Sequence, residues 1–315
     1  MSSSSIEDAP AWTRPMLEFF DQRMADSAAR DPFRHKPHIV EQYAPYFQAW
    51  CDYFDTEVQG WEHLPDEGPF MLVGNHSGGA ETNDAVFFLC RWVADRGPGE
   101  PIYVLAYDLL FGMPGVGRML PSLGVVPANP DNAKAALDQG DPVMVFPGGD
   151  YEVFRPWTHR DQIDFGGHSG FVKIALQTGV PVVPMTIHGA HESTFILTRG
   201  TRLARLIGLD RLRVHDMPII FNIPFGITPV FVPSVQLPAK VTVALDPPLD
   251  WSSLGPDAAD DPELVDRCYD QIIATMQATM DRLEHETPHP VVARVTDMVT
   301  GAAKAALSVP GRLLP

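Results

Sequence analysis

A histidine, a serine, three glycines and two acids fall within one short stretch, Gly74-Asn75-His76-Ser77-Gly78-Gly79-Ala80-Glu81-Thr82-Asn83-Asp84. Histidine titrates near pH 6.5, so a neutral imidazole can take a proton at physiological pH. A carboxylate on its other ring nitrogen fixes the tautomer and steadies the imidazolium that forms. His76 is therefore a candidate general base. Asp84, which opens the next helix, is its expected partner, with Glu81 as the rival. A serine-nucleophile reading fits less well. The nucleophile elbow is G-x-S-x-G, because its strained turn needs small residues. Ser77 sits in Asn75-His76-Ser77-Gly78-Gly79 and Ser169 in Gly167-His168-Ser169-Gly170-Phe171, and each lacks one glycine. A metal reading of His188-Gly-Ala-His191-Glu192 finds two histidines but no evident third ligand, so no metal is expected.

These residues need a scaffold. "GPFMLVGNH", "PIYVLA", "GVVP", "DPVMVFPGG", "VPVVPMTI" and "KVTVAL" read as short buried strands. Between them "DAVFFLCRWVADRG", "NPDNAKAALDQG" and "GGHSGFVKIALQTG" carry helical spacing with start and stop signals. Alternating strands and helices predict an α/β fold, with a mostly parallel central sheet flanked by helices. Ligands in such folds bind beyond the C-terminal strand ends. "VGNHSGG" and "VFPGGDYE" both fall there. The expected organisation is an N-terminal helical segment over 1–60, an α/β domain over 61–250, and a C-terminal helix and tail over 251–315.

Residues 197–239 depart from this pattern. Arg199, Arg202, Arg205, Arg211 and Arg213 lie among leucines, and an apolar stretch broken by Pro218, Pro224, Pro229 and Pro233 follows. This combination predicts an insertion at a membrane interface. Trp12, Met16, Leu17, Phe19 and Phe20 offer a second amphipathic contact.

The 315 residues carry 23 basic and 40 acidic side chains, a net charge of −17, which argues against a nucleic-acid partner. Cys51, Cys90 and Cys268 are few and far apart, so a reducing compartment is expected. The sequence begins with no basic and apolar leader and has no run of about 20 apolar residues. A cytoplasmic protein, peripheral on the cytoplasmic membrane face, is the expectation.

His76 with its downstream acid, then "FPGGDYE", then "GVPVVPM", resembles in that order the glycerolipid acyltransferase superfamily of the His-x4-Asp type. Phe146-Pro147-Gly148-Gly149 with Glu152, followed by Gly170 to Pro184, looks nearest to the monoacylglycerol and diacylglycerol acyltransferase-like branch. The resemblance spans roughly 65–250. It implies transfer of a fatty acyl group from acyl-CoA or acyl carrier protein to a hydroxyl of a glycerolipid or lysophospholipid, with no further cofactor. His76 and Asp84 or Glu81 would be catalytic. Amides near Ser77, Gly78 and Gly79 would hold the oxyanion. Phe146, Pro147, Gly148, Gly149, Glu152 and Arg155 would line the acceptor site, with Glu152 and Arg155 contacting the head group or orienting the loop. Two departures matter: the x4 position holds Glu81, and Gly148-Gly149-Asp150-Tyr151-Glu152 replaces the Glu-Gly-Thr-Arg block, which argues against a lysophosphatidate acceptor. A lipid esterase or thioesterase, and a non-catalytic lipid-binding relative, remain the alternatives.

Overall fold

A strand buried on both faces sends successive side chains into two different cores, and this chain does so repeatedly. In β2 (Met71–Gly74), Met71 and Val73 enter one core while Leu72 enters the other. The same alternation splits Val143 from Met144 in β5 (Val143–Val145) and Val182 from Val183 in β6 (Val182–His188). The computed structural model describes residues 14–15, 18–19, 22–23, 31–77, 84–206, 216–230, 232 and 234–308.

With β1 (Glu57–Gln59), β3 (Tyr103–Ala106), β4 (Val125–Pro127) and β10 (Thr242–Leu245), these strands form a seven-stranded sheet in the order β1-β10-β6-β2-β5-β3-β4. Every neighbouring pair is parallel except β10 with β6. The α/β architecture is thus as the alternation of elements predicts, with one antiparallel joint that the sequence pattern does not reveal.

Helices cover both faces. On one lie α1 (Pro37–Tyr53) and α2 (Asp84–Arg96), whose Phe87, Phe88 and Trp92 are buried. Two short helices, α3 (Asp108–Gly112) and α4 (Val116–Met119), follow β3. The opposite core takes α5 (Pro130–Asp138), capped by Asn129, whose side chain accepts from the Asn132 amide. Beyond the short α6 (Gly149–Val153), the same core is closed by α7 (Gly170–Thr178) and by α9 (Pro262–Glu286). Asp261 caps α9, Pro262 opens it, and Val265, Cys268, Ile272, Met276 and Leu283 form its buried stripe at helical spacing. Before α9, residues 195–229 add β7 (Phe195–Thr198), α8 (Thr201–Leu206), β8 (Ile219–Asn222) and β9 (Gly226–Pro229). The three strands form a separate antiparallel sheet in the order β7-β8-β9. The proline-broken stretch is therefore partly a hairpin, with Pro218 before it, Pro224 in its turn and Pro229 ending it. The tail forms α10 (Pro290–Ser308). No helix among the described residues is long and apolar enough to cross a membrane.

Leu72 is fully buried on the central strand. Leu72→Ala is expected to cost about 3–5 kcal/mol, read from the urea unfolding midpoint; a loss below about 1 kcal/mol would contradict this packing.

Candidate active site

The C-terminal end of β2 is pinned sideways before the His76 loop begins. Asn75 is buried, its Nδ2 donates to the Ile187 carbonyl at 2.9 Å, and its Oδ1 accepts from the Ile187 amide at 2.6 Å. The side chain thus extends the pairing of β2 with β6 by one step. Sequence reasoning passed Asn75 over; the available signal was a polar residue directly after a buried strand and before a candidate base.

His76 then meets the first residue of α2. Its Nδ1 lies 2.6 Å from Asp84 Oδ2. The His76 side chain keeps 16% of its exposure and Asp84 none. Two more donors reach the same carboxylate: the Ser77 amide at 2.8 Å to Oδ2 and the Ser77 hydroxyl at 2.8 Å to Oδ1. A carboxylate accepts and does not donate, so Nδ1 carries a hydrogen, and in the neutral ring Nε2 keeps its lone pair. Behind the imidazole, the Phe146 ring stacks at 4.7 Å. Glu81, Gly78 and Gly79 lie outside the described residues.

A second buried acid holds the backbone of the same residue. Glu152 Oε2 accepts from the His76 amide at 2.7 Å, and Arg155 Nη1 donates to the His76 carbonyl at 3.2 Å. Arg155 Nη1 also lies 3.0 Å from Glu152 Oε1. Arg155 Nη2 donates to the Arg160 carbonyl at 3.0 Å. Burial pushes the Glu152 carboxyl up to about 8, opposed by the Arg155 guanidinium and the His76 amide. Gly148 makes this approach feasible, because a Cβ there would sit 2.6 Å from Glu152 Oε2. Gly149 takes a left-handed φ of 48°, and its amide donates to the Phe146 carbonyl.

Three expectations change here. Ser77 does not offer its amide to an oxyanion or its hydroxyl to a substrate, since both are spent on Asp84 and the residue is 1% exposed. Glu152 and Arg155 do not reach out to a head group: both are buried, and they grip the His76 backbone. Of the two roles expected for them, orienting the loop matches this geometry. The Gly149 amide is likewise taken up within its own turn, while Phe146 flanks the imidazole and Pro147 is half-buried.

The histidine pair does not form a shared ligand set. His188 ends β6, whereas His191 sits in the following turn and its Nε2 lies 3.0 Å from the Arg155 carbonyl. Burial lowers both histidines, His188 to about 4. Among the described residues, Asp161, His188 and Glu192 do bring ligand atoms within 4.8 Å of one another. Arg160 already bridges the two carboxylates, 3.1 Å from Glu192 and 3.3 Å from Asp161.

Residues 55–188 match the family described as "Acyltransferase". An uncharacterized protein of Mycobacterium tuberculosis is 30% identical over 276 residues, covering 84% of this chain and 72% of its own. The bovine protein named "DGAT1/2-independent enzyme synthesizing storage lipids" is 25% identical over 194 residues, 62% of this chain and 55% of that one. In fold, the chain is similar to the crystal structure of the 1-acyl-sn-glycerophosphate (LPA) acyltransferase, PlsC, from Thermotoga maritima. The TM-score is 0.50 at 18% identity, over 86% of this chain and 96% of the other.

Arg155→Met strands a buried carboxylate and is expected to cost about 3–5 kcal/mol at pH 8 and above. The Glu152 value is already raised above its ordinary 4.5, and loss of the guanidinium raises it further. Between about 4.5 and about 8 both folded chains hold a proton that the unfolded chain releases, so the variant's deficit is flat there and grows as pH rises past about 8, where only the unmutated chain ionises. Urea titrations across pH test this; a deficit independent of pH would contradict it.

Proposed function

The chain belongs to the acyltransferase family, and from this we propose that it moves a fatty acyl group from a thioester, acyl-CoA or acyl carrier protein, to a hydroxyl of a glycerolipid or lysophospholipid. The observation that carries the reading is the 2.6 Å contact between His76 Nδ1 and a buried Asp84 that takes two further donors. It leaves Nε2 as the basic nitrogen of a side chain that still reaches solvent.

In the proposed reaction, Nε2 takes the proton of the acceptor hydroxyl as its oxygen attacks the thioester carbonyl. Asp84 stabilises the imidazolium. The tetrahedral intermediate collapses with loss of the thiolate, and the imidazolium returns its proton to that sulfur. The new ester bond replaces the thioester bond, and no acyl-enzyme forms. Gly78 and Gly79 remain the proposed oxyanion donors. The acceptor's polar end is assigned to the Phe146–Gly149 turn, next to the imidazole it must reach. The name of the storage-lipid relative supports a lipid alcohol as acceptor. The proposed setting is the cytoplasmic face of a membrane, with the chain peripheral to it.

The bonds that hold Ser77 on Asp84 count against a serine hydrolase. A hydrolase that uses water at His76 is separated by its product, free fatty acid.

With radiolabelled palmitoyl-CoA and a panel of lipid alcohols, the unmutated chain is expected to form acylated lipid. His76→Ala is expected to form none, and Asp84→Asn to lose about 10²–10⁴-fold. Ser77→Ala keeps measurable turnover, because it removes one of three donors to Asp84 and no nucleophile. Loss of all turnover in Ser77→Ala together with a trapped acyl-serine would overturn the mechanism.

A further inference from the structure

The small antiparallel sheet turns a second apolar side outward. Such sheets pack one face on the core and turn a polar face to water. Here the inner face follows the rule: Ile196, Ile220 and Asn222 are buried. The register then sets the outer face. Phe195 pairs with Phe221, and Phe221 with Ile227, so these three project to the same side. Phe221 is 51% exposed and Ile227 70%. Phe225, in the turn between β8 and β9, is 64% exposed, and Ile223 and Leu197 are exposed beside them. A contiguous apolar face of this kind marks an interaction site.

Its flank is basic. On α8, Arg202, Arg205 and Leu206 are all exposed. This is notable in a chain of net charge −17, where attraction to an anionic surface has to be local. The patch is also mechanically tied to the His76 neighbourhood. The Phe195 ring stacks on Trp157 at 5.0 Å, and the Arg199 guanidinium lies 4.1 Å over the Tyr151 ring, within the helix that carries Glu152.

We propose that the outer face of β7–β9, its Ile223–Phe225 turn and the α8 arginines dock the chain on an anionic lipid bilayer. The turn and its aromatic side chains enter the interface while the arginines meet lipid phosphates. The bilayer is chosen over a protein partner because, in a chain of net charge −17, the helix that follows β7 exposes two arginines together with Leu206, a pairing that suits phosphates above acyl chains. That choice of occupant also rests on the acyl-transfer reading; the outward apolar face itself does not. Docking here would bring a lipid acceptor to the Trp157–Tyr151 side of the site without passage through bulk water.

The test is flotation of the full chain with phosphatidylglycerol-rich and with pure phosphatidylcholine vesicles. The unmutated chain is expected to co-float with the anionic vesicles. Phe225→Ser/Ile227→Ser is expected to lose at least about tenfold of that binding. Arg202→Glu/Arg205→Glu is expected to lose about tenfold or more on anionic vesicles only. Both positions are exposed, and an unchanged unfolding midpoint checks that each variant is folded. His76→Ala should float like the unmutated chain, which keeps docking separate from chemistry: flotation without acyl transfer would sink the acyl-transfer reading and leave docking standing. Failure of the unmutated chain to float, or equal flotation of Phe225→Ser/Ile227→Ser, would overturn the proposal. So would a dimer that the same variant breaks, with no vesicle binding at all.

Discussion

The site depends on one buried carboxylate. Asp84 has no exposed surface, and an ion in that position costs several kcal/mol unless its lone pairs are met. Three donors meet them: the His76 ring, the Ser77 amide and the Ser77 hydroxyl. Its place as the first residue of α2 adds the favourable end of the helix dipole. Because all three donors come from His76 and Ser77, the second and third residues after β2, satisfying Asp84 also fixes the chain's exit from the sheet. The orientation of the imidazole follows from an electrostatic requirement that the fold has to meet in any case.

A second buried acid works on the other side of the same residue. Glu152 and Arg155 take the His76 amide and carbonyl, so the backbone is held where Asp84 holds the ring. The two acids follow different parallel strands: Asp84 opens the helix after β2, and Glu152 lies in α6 after β5. Their convergence on one histidine is the practical meaning of a site at the C-terminal edge of a parallel sheet. It also explains the glycine beside Glu152, since a Cβ at Gly148 would fill the space the carboxylate needs.

The strands and helices were legible because their burial is periodic. Continuous apolar runs such as Phe70 to Val73 between turn residues, and the Asp-Pro start of α9, state their element locally. The family resemblance rested on ordered blocks and is matched by the acyltransferase comparison. The hairpin of β8 and β9 was not legible, because Pro218, Pro224 and Pro229 read as breakers and only the register reveals that they bracket strands. Nor was the burial of Glu152 and Arg155: two charges three residues apart look like a surface ion pair in any sequence, and only the tertiary approach of the His76 loop takes them out of water. Asp84 could be preferred over Glu81 from its place at the helix start, whereas the commitment of Ser77 to Asp84 needed three dimensions.

The most direct measurement is the tautomer of His76, read by ¹⁵N NMR on the histidine-labelled chain above the histidine titration, with His76→Gln to assign the signal. The account requires the hydrogen on Nδ1, bonded to Asp84, and a bare Nε2. A neutral His76 with its hydrogen on Nε2 would leave no base facing the acceptor hydroxyl, and would contradict the account at its centre.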